Sequence, residues 1–179
     1  MKISSNFDSG NIEVVEAADP SNVRLRIRMD TAADFFQWFH FRATGARGRD
    51  CSFAIENAGE ASYPKGWEGY RACVSYDRES WFRVPTSYAD GVLRIEVTPD
   101  RDSIYIAYFA PYSRERHRDF IARCGASPRV SLDVVGETVN GDDIDLLVIS
   151  GEGSSNDRRA CWAIGRQHPG ETMAQYWME

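Results

Sequence analysis

The residues most able to do chemistry are His168-Pro169-Gly170-Glu171. An imidazole and a carboxylate three residues apart, where a strand gives way to a helix, can converge on one point. Neutral imidazole and carboxylate are both good Zn2+ ligands, and catalytic zinc sites often combine two His and one carboxylate with water in the fourth place. Pro169 and Gly170 fit a tight turn that aims both groups. The same residues also read more plainly as a His and a Glu at a helix N-terminus, where an acid favours the helix dipole. Spacing alone leaves both readings open.

Other polar clusters carry less. His117 sits in a helical stretch between Arg116 and Arg118 and reads as a solvated or packing residue. His40 alternates with aromatics and reads as a satisfied sheet residue. Asp142, Asp143 and Asp145 flank a turn, but without the glycine-spaced pattern of a calcium loop. Gly151-Glu152-Gly153 is glycine-rich like a phosphate loop, yet it leads through Asn156-Asp157-Arg158-Arg159 into another strand, with no helix to receive a phosphate. Arg24, Arg26 and Arg28 form the solvated face of a strand, and Arg47-Gly48-Arg49-Asp50 a solvated loop.

The elements that must position these groups follow two grammars. Up to residue 110 the period is two. Val23, Leu25, Ile27 and Met29 alternate with Arg24, Arg26 and Arg28, which predicts a half-buried strand over Asn22–Met29. Similar runs predict strands at Ile12–Val15, Phe35–Arg42, Cys51–Glu56, Tyr70–Tyr76, Trp81–Val84, Val92–Val97 and Ile104–Ala110. Asp90-Gly91 before Val92 is a hairpin signal. About eight short strands without a helix between them read as an antiparallel sandwich.

After Pro111 the pattern changes. Tyr112–Cys124 predicts an amphipathic helix with Ser113 as N-cap and Gly125 just beyond its end. Val130–Val135 and Ile144–Ile149 predict two strands joined through Asn140-Gly141, a pair suited to a turn whose two central residues have positive φ. A third strand is expected at Cys161–Ile164, and a helix opens within Glu171–Glu179 with Met173, Tyr176 and Trp177 uncovered, so that fraying or burial in a self-association contact is expected. A domain boundary is therefore expected near residue 110. It separates an N-terminal antiparallel β-sandwich (1–110) from the start of an α/β domain (111–179) that looks cut short.

Composition excludes several function classes. Hydrophobic residues make up 42% of the 179, charged residues 27% and aromatics 12%, a globular balance that argues against disorder or fibre. The net charge of −6 is spread over both halves, which argues against a nucleic-acid tail or a polybasic membrane anchor. The longest mostly apolar stretch, Ile104–Tyr112, is far too short to span a bilayer, and the first ten residues contain no signal-type apolar run. Four cysteines without a Cys-x-x-Cys pair suit a reduced, cytoplasmic protein.

The segment Arg166-Gln167-His168-Pro169-Gly170-Glu171-Thr172 resembles the zinc-binding segment of the zinc metallocarboxypeptidases, in their cytosolic carboxypeptidase branch. Three further stretches resemble the same branch in the same order. They are Trp38-Phe39-His40-Phe41-Arg42, then Tyr108-Phe109-Ala110-Pro111-Tyr112-Ser113 with Glu115 and His117, then Gly136-Glu137-Thr138 with Gly141 and Ile144-Asp145-Leu146-Leu147. Asp142 departs from the pattern, standing where a basic residue is expected. The resemblance implies a mainly β chain holding the N-terminal β-domain and the first part (helix, β-hairpin, strand, helix start) of an α/β catalytic domain. It further implies a zinc enzyme that removes C-terminal residues from peptides or proteins, with His168 and Glu171 as metal ligands. The third ligand (a His), the catalytic Glu and the groups that hold the substrate's terminus are implied beyond residue 179, so the segment alone is expected to be inactive. Two other readings stand beside this one. One is a zinc acylase of the succinylglutamate desuccinylase and aspartoacylase type, although those relatives usually follow the His with Gly-Asn. The other is a non-catalytic sandwich that docks a partner.

Overall fold

In the computed structural model, which describes residues 1–151 and 159–179, Val23 and Leu25 are fully buried while Arg24 between them faces water. The alternation read from the sequence thus sets one strand face inward. Its outer face is paired with acids: Arg24 Nε donates to Glu56 Oε1 at 2.5 Å, and Arg26 Nη2 to Glu60 Oε2 at 3.4 Å.

The chain divides into two units. The first comprises Met1–Pro111 with Gly170–Thr172, the second Tyr112–Pro169 with Met173–Glu179. The first holds ten strands: β1 (Lys2–Ser4), β2 (Glu13–Glu16), β3 (Val23–Arg26), β4 (His40–Thr44), β5 (Cys51–Ile55), β6 (Cys73–Ser75), β7 (Phe82–Arg83), β8 (Thr86–Ala89), β9 (Val92–Val97) and β10 (Ser103–Ala107). They form two five-stranded sheets, ordered β1-β4-β10-β6-β7 and β2-β3-β5-β9-β8. One hydrophobic cluster draws on both, with Phe41, Val74, Ile104 and Ile106 from one sheet and Leu25, Phe53, Ile55, Leu93 and Ile95 from the other. Phe41 and Phe53 meet edge to face with ring centroids 5.4 Å apart. Burying each such side chain is worth about 1.5–3 kcal/mol, so this shared layer is what joins the sheets.

The sandwich departs from the expected antiparallel pattern in one place, because β3 and β5 pair in parallel. Parallel neighbours need a crossover connection, and β4, lying in the other sheet, supplies it. Two strands had no sequence signal. Both β1 and β8 are short edge strands with one neighbour each, so neither needs two apolar faces. Several expected runs were too long. Residues 35–39 precede β4 without pairing as a strand, and Phe36 N instead donates to Ser62 Oγ at 2.9 Å. The end of β3 is continued by a side chain: Asn57, which is buried, accepts from Ile27 N and donates to Ile27 O, both at 2.9 Å.

The two Gly-containing turns resolve differently. Asp90 and Gly91 have φ of 52° and 79°, and Ala89 pairs with Val92, giving the two-residue hairpin with positive φ at both central positions. In the second unit, β11 (Val130–Glu137) and β12 (Asp143–Ile149) also form an antiparallel hairpin. Of Asn140 and Gly141, however, only Gly141 has positive φ, at 78°. Thr138 O accepts from Gly141 N at 2.9 Å and Thr138 N donates to Asp142 O at 2.8 Å, so the loop has three residues and ends on a left-handed glycine. The extra residue removes the need for positive φ at Asn140.

Helix α1 (Arg114–Gly125) starts as expected, with Ser113 Oγ accepting from Arg116 N at 3.1 Å. Helix α2 spans Met173–Met178. The run Cys161–Ile164 forms no strand. Trp162 and Ile164 are 77% and 64% exposed, so no neighbouring ladder or packed face holds them extended. Glu152, Gly153, Asn156, Asp157 and Arg158 of the glycine-rich stretch lie outside the described residues. All four cysteines are free thiols, with Cys51 and Cys73 buried. Among the described residues no helix is long and apolar enough to cross a membrane.

Candidate metal-binding segment

His168 and Glu171 stand at the turn that leads into α2, and both side chains are exposed. His168 belongs to the second unit and Glu171 to the first. Pro169 and Gly170 lie in a turn as expected, and the left-handed residue of this segment is Arg166, whose φ is 60°. Its guanidinium curls back over the turn: Nε donates to Pro169 O at 3.0 Å, and Nη1 to Gln175 Oε1 at 2.6 Å and Tyr112 O at 3.3 Å. Within the first unit, Thr172 is 1% exposed and its hydroxyl donates to Ala110 O at 2.7 Å. A Cβ at Gly170 would meet the Tyr108 ring at an ordinary 3.9 Å.

The aromatic stretch before Pro111 is built into the first unit's core. Tyr108 packs on Trp67 and Tyr70 with centroids 5.4 and 5.2 Å apart, and Tyr70 Oη donates to Tyr108 O at 2.5 Å. Burial raises the Tyr108 phenol above its ordinary pKa, against a hydrogen bond with Gln37 that lowers it. Tyr70 is raised well above its ordinary value, again by burial first.

In the second unit His117 is half-buried and held by hydrogen bonds, in line with the packing role read from the sequence. Its Nε2 lies 3.1 Å from Asp145 Oδ2 and its Nδ1 2.9 Å from Gln175 Nε2, so both ring nitrogens are used. Asp142 takes Arg114 at 2.9 Å and Arg118 at 3.3 Å, so this one of the turn acids is engaged in ion pairs. The end of α2 is tied to α1 through Glu179, which meets Arg116 Nε at 2.7 Å and also Arg123. Arg116 holds the Glu179 carboxyl below its ordinary pKa. Tyr176 stacks edge to face on Tyr112 at 4.9 Å and so is covered, contrary to expectation, whereas Met173 and Trp177 are 47% and 76% exposed.

His40 is buried as expected but is not fully satisfied. Nδ1 meets Ser9 Oγ at 3.0 Å, while Nε2 has no hydrogen-bond partner among the described residues. Phe7, Trp38, Trp81 and Tyr105 ring it, with centroids 4.9 to 6.3 Å away. Burial pushes its pKa down to about 3.

As a donor set, an imidazole nitrogen and a carboxylate oxygen three residues apart suit a borderline cation such as Zn2+. Among the described residues no group of three or more His, Cys, Asp and Glu side chains could hold a metal ion. By donor chemistry alone, two such residues would make up part of a metal shell and not the whole of one. Sequence reasoning named Arg166 and Asp145 without a role and missed Gln175; the bonds that join them through His117 span 9 to 58 positions and leave no local signal.

Residues 3–109 match the family described as the cytosolic carboxypeptidase N-terminal domain, and the chain belongs to that family. Over its full 179 residues it is 46% identical to an uncharacterized protein of Zymomonas mobilis, covering 46% of that protein. It superposes on a crystal structure of a metallo-carboxypeptidase from Burkholderia cenocepacia with a TM-score of 0.93 at 46% identity, covering 99% of this chain and 47% of that one. A metallo-carboxypeptidase from Pseudomonas aeruginosa, in complex with (2-guanidinoethylmercapto)succinic acid, gives 0.92 at 43% identity, again over 99% of this chain and 47% of that one. The chain thus spans about half the length of these relatives.

Proposed function

We propose that this chain forms the N-terminal β-domain (1–110) and the opening of the catalytic domain (111–179) of a cytoplasmic, zinc-dependent metallocarboxypeptidase acting on peptide or protein C-termini. The observation that carries this reading is the likeness to metallo-carboxypeptidase structures, at more than 40% identity across 99% of the chain, together with His168-Pro169-Gly170-Glu171. His168 and Glu171 would hold the metal, with remaining ligands drawn from the rest of the protein. A Zn2+ bound there would polarise the scissile carbonyl and bring the pKa of its water towards about 7. For their part, His168 would offer an imidazole nitrogen and Glu171 a carboxylate oxygen, and both residues lie at the surface. Two protein ligands leave half of a tetrahedral shell to water, so the 179-residue chain by itself is inactive.

In the full-length protein, His168→Ala and Glu171→Gln should each abolish stoichiometric zinc, measured by elemental analysis after dialysis, and with it hydrolysis of C-terminal residues from a peptide panel. Zinc retained at one equivalent by both variants would sink the assignment. The succinic-acid ligand of the Pseudomonas protein supplies a second probe, expected to inhibit peptide cleavage. Turnover of N-acyl amino acids without peptide cleavage would replace carboxypeptidase by acylase.

A further inference from the structure

We propose that Asp145, His117, Gln175 and Arg166 form a positioning relay for the turn that carries His168, an inference that rests on reading His168 as a metal ligand. All four lie in the second unit, on β12, α1, α2 and the loop before the turn. The links run in one line. Asp145 Oδ2 lies 3.1 Å from His117 Nε2, His117 Nδ1 2.9 Å from Gln175 Nε2, and Gln175 Oε1 2.6 Å from Arg166 Nη1. Arg166 Nε then closes on Pro169 O, the first carbonyl after His168, at 3.0 Å.

The polarity of the line is fixed from both ends. A carboxylate only accepts and a guanidinium only donates. Gln175 must therefore present its oxygen to Arg166 and its NH2 group to His117 Nδ1. That leaves the His117 proton on Nε2, facing Asp145. Reversing the amide would set donor against donor at Arg166, so the line has a single arrangement that satisfies every member. Arg166 is meanwhile held at φ 60°, a conformation that a non-glycine residue keeps only where its surroundings over-determine it. The relay, with the bond to Tyr112 O, provides that constraint.

The consequence is a turn whose backbone is anchored to two helices and a strand through side chains that do not themselves reach a metal. Groups of this kind typically contribute about 10–100-fold to metal affinity by fixing where the ligand stands. They are positioning residues.

The test uses the full-length protein and Zn2+ competition against a chromogenic chelator at neutral pH. Gln175→Leu, which cuts the line in the middle, should loosen Zn2+ about 10–100-fold. Asp145→Ala should loosen it too, and the double variant no further than the weaker-binding single one, because both changes cut the same line. A merely structural role would instead give additive losses. Should Gln175→Leu fail to fold, Arg166→Lys serves in its place, since it keeps the charge but cannot donate to Pro169 and Gln175 from one planar fork. Zn2+ affinity within twofold of the unmodified protein in these variants, while His168→Ala has lost the metal, overturns the relay and leaves the ligand assignment standing. If His168→Ala itself keeps Zn2+, the ligand assignment fails and the relay's stated purpose fails with it.

Discussion

Acidification from pH 7 to pH 5 should weaken the fold through one residue, His40. The ring has 0% exposure, and its pKa is pushed from the ordinary 6.5 to about 3, first by burial and then by Arg78, with Asp8 opposing. The folded protein therefore keeps the ring neutral across this window, while the unfolded chain takes up a proton below 6.5. Because the unfolded form then binds more protons, stability is full above pH 6.5 and falls as pH drops towards 3. At about 1.4 kcal/mol per pH unit, the loss by pH 5 is about 2 kcal/mol, and it approaches about 5 kcal/mol once the pH reaches 3. The window from 7 to 5 is the useful one, since carboxylates such as Asp77, held at about 2 by backbone donors from Ser80 and Glu79, enter only lower down. His40→Asn keeps a polar group for Ser9 and removes the titration. Urea unfolding of both proteins at pH 7 and pH 5 should show the unmodified protein losing about 2 kcal/mol more than the variant. Equal losses in the two proteins, or a His40 ring proton that titrates near 6.5 in the folded state, would refute the argument.

Two further outcomes follow from the first unit. Asn57→Leu strips the side chain that pairs with both Ile27 N and Ile27 O, and should cost about 3 kcal/mol in urea unfolding together with hydrogen-exchange protection at the Ile27 amide. An unchanged exchange rate there would show that the strand end closes without it. Gly59→Ala places a Cβ 2.8 Å from Gly91 Cα, backbone against backbone, beneath the β8–β9 turn. It should destabilise by about 1–3 kcal/mol, and a neutral result would mean that the two turns slide apart freely.

The sandwich was legible wherever a strand needs one apolar face: β3, β5 and β9 declared themselves by alternation, and the hairpin between β8 and β9 by Asp90-Gly91. Edge strands carry less of this demand: β2 and β7 still showed as Ile12–Val15 and Trp81–Val84, whereas β1 and the β8 arm of that hairpin were not placed. The parallel pairing of β3 with β5 depends on where β4 goes, a matter of tertiary layout that local pattern does not encode. The Asn140-Gly141 hairpin was placed correctly but given the wrong turn, because the pair alone does not fix loop length. Cys161–Ile164 is apolar enough for a strand yet pairs with no strand among the described residues. At the candidate site, His168 and Glu171 were visible because their spacing is local. The Gln175–His117 bond spans 58 positions and could be found only in three dimensions.

The order of strands in the first sheet has a consequence for how the chain is made. Strand β10 lies between β4 and β6, although it is the last of the five to leave the ribosome. Until Ser103–Ala107 emerges, β4 and β6 each present an open row of backbone donors and acceptors towards the place it will occupy. Between the emergence of β7 and that of β10, strands from both sides of the sheet are present without the centre strand that joins them, exposed on edges able to pair with a neighbouring nascent chain. Strand β10 acts as a keystone: its arrival closes the sheet, seats Ile104 and Ile106 in the shared core, and ends that vulnerable interval in one step.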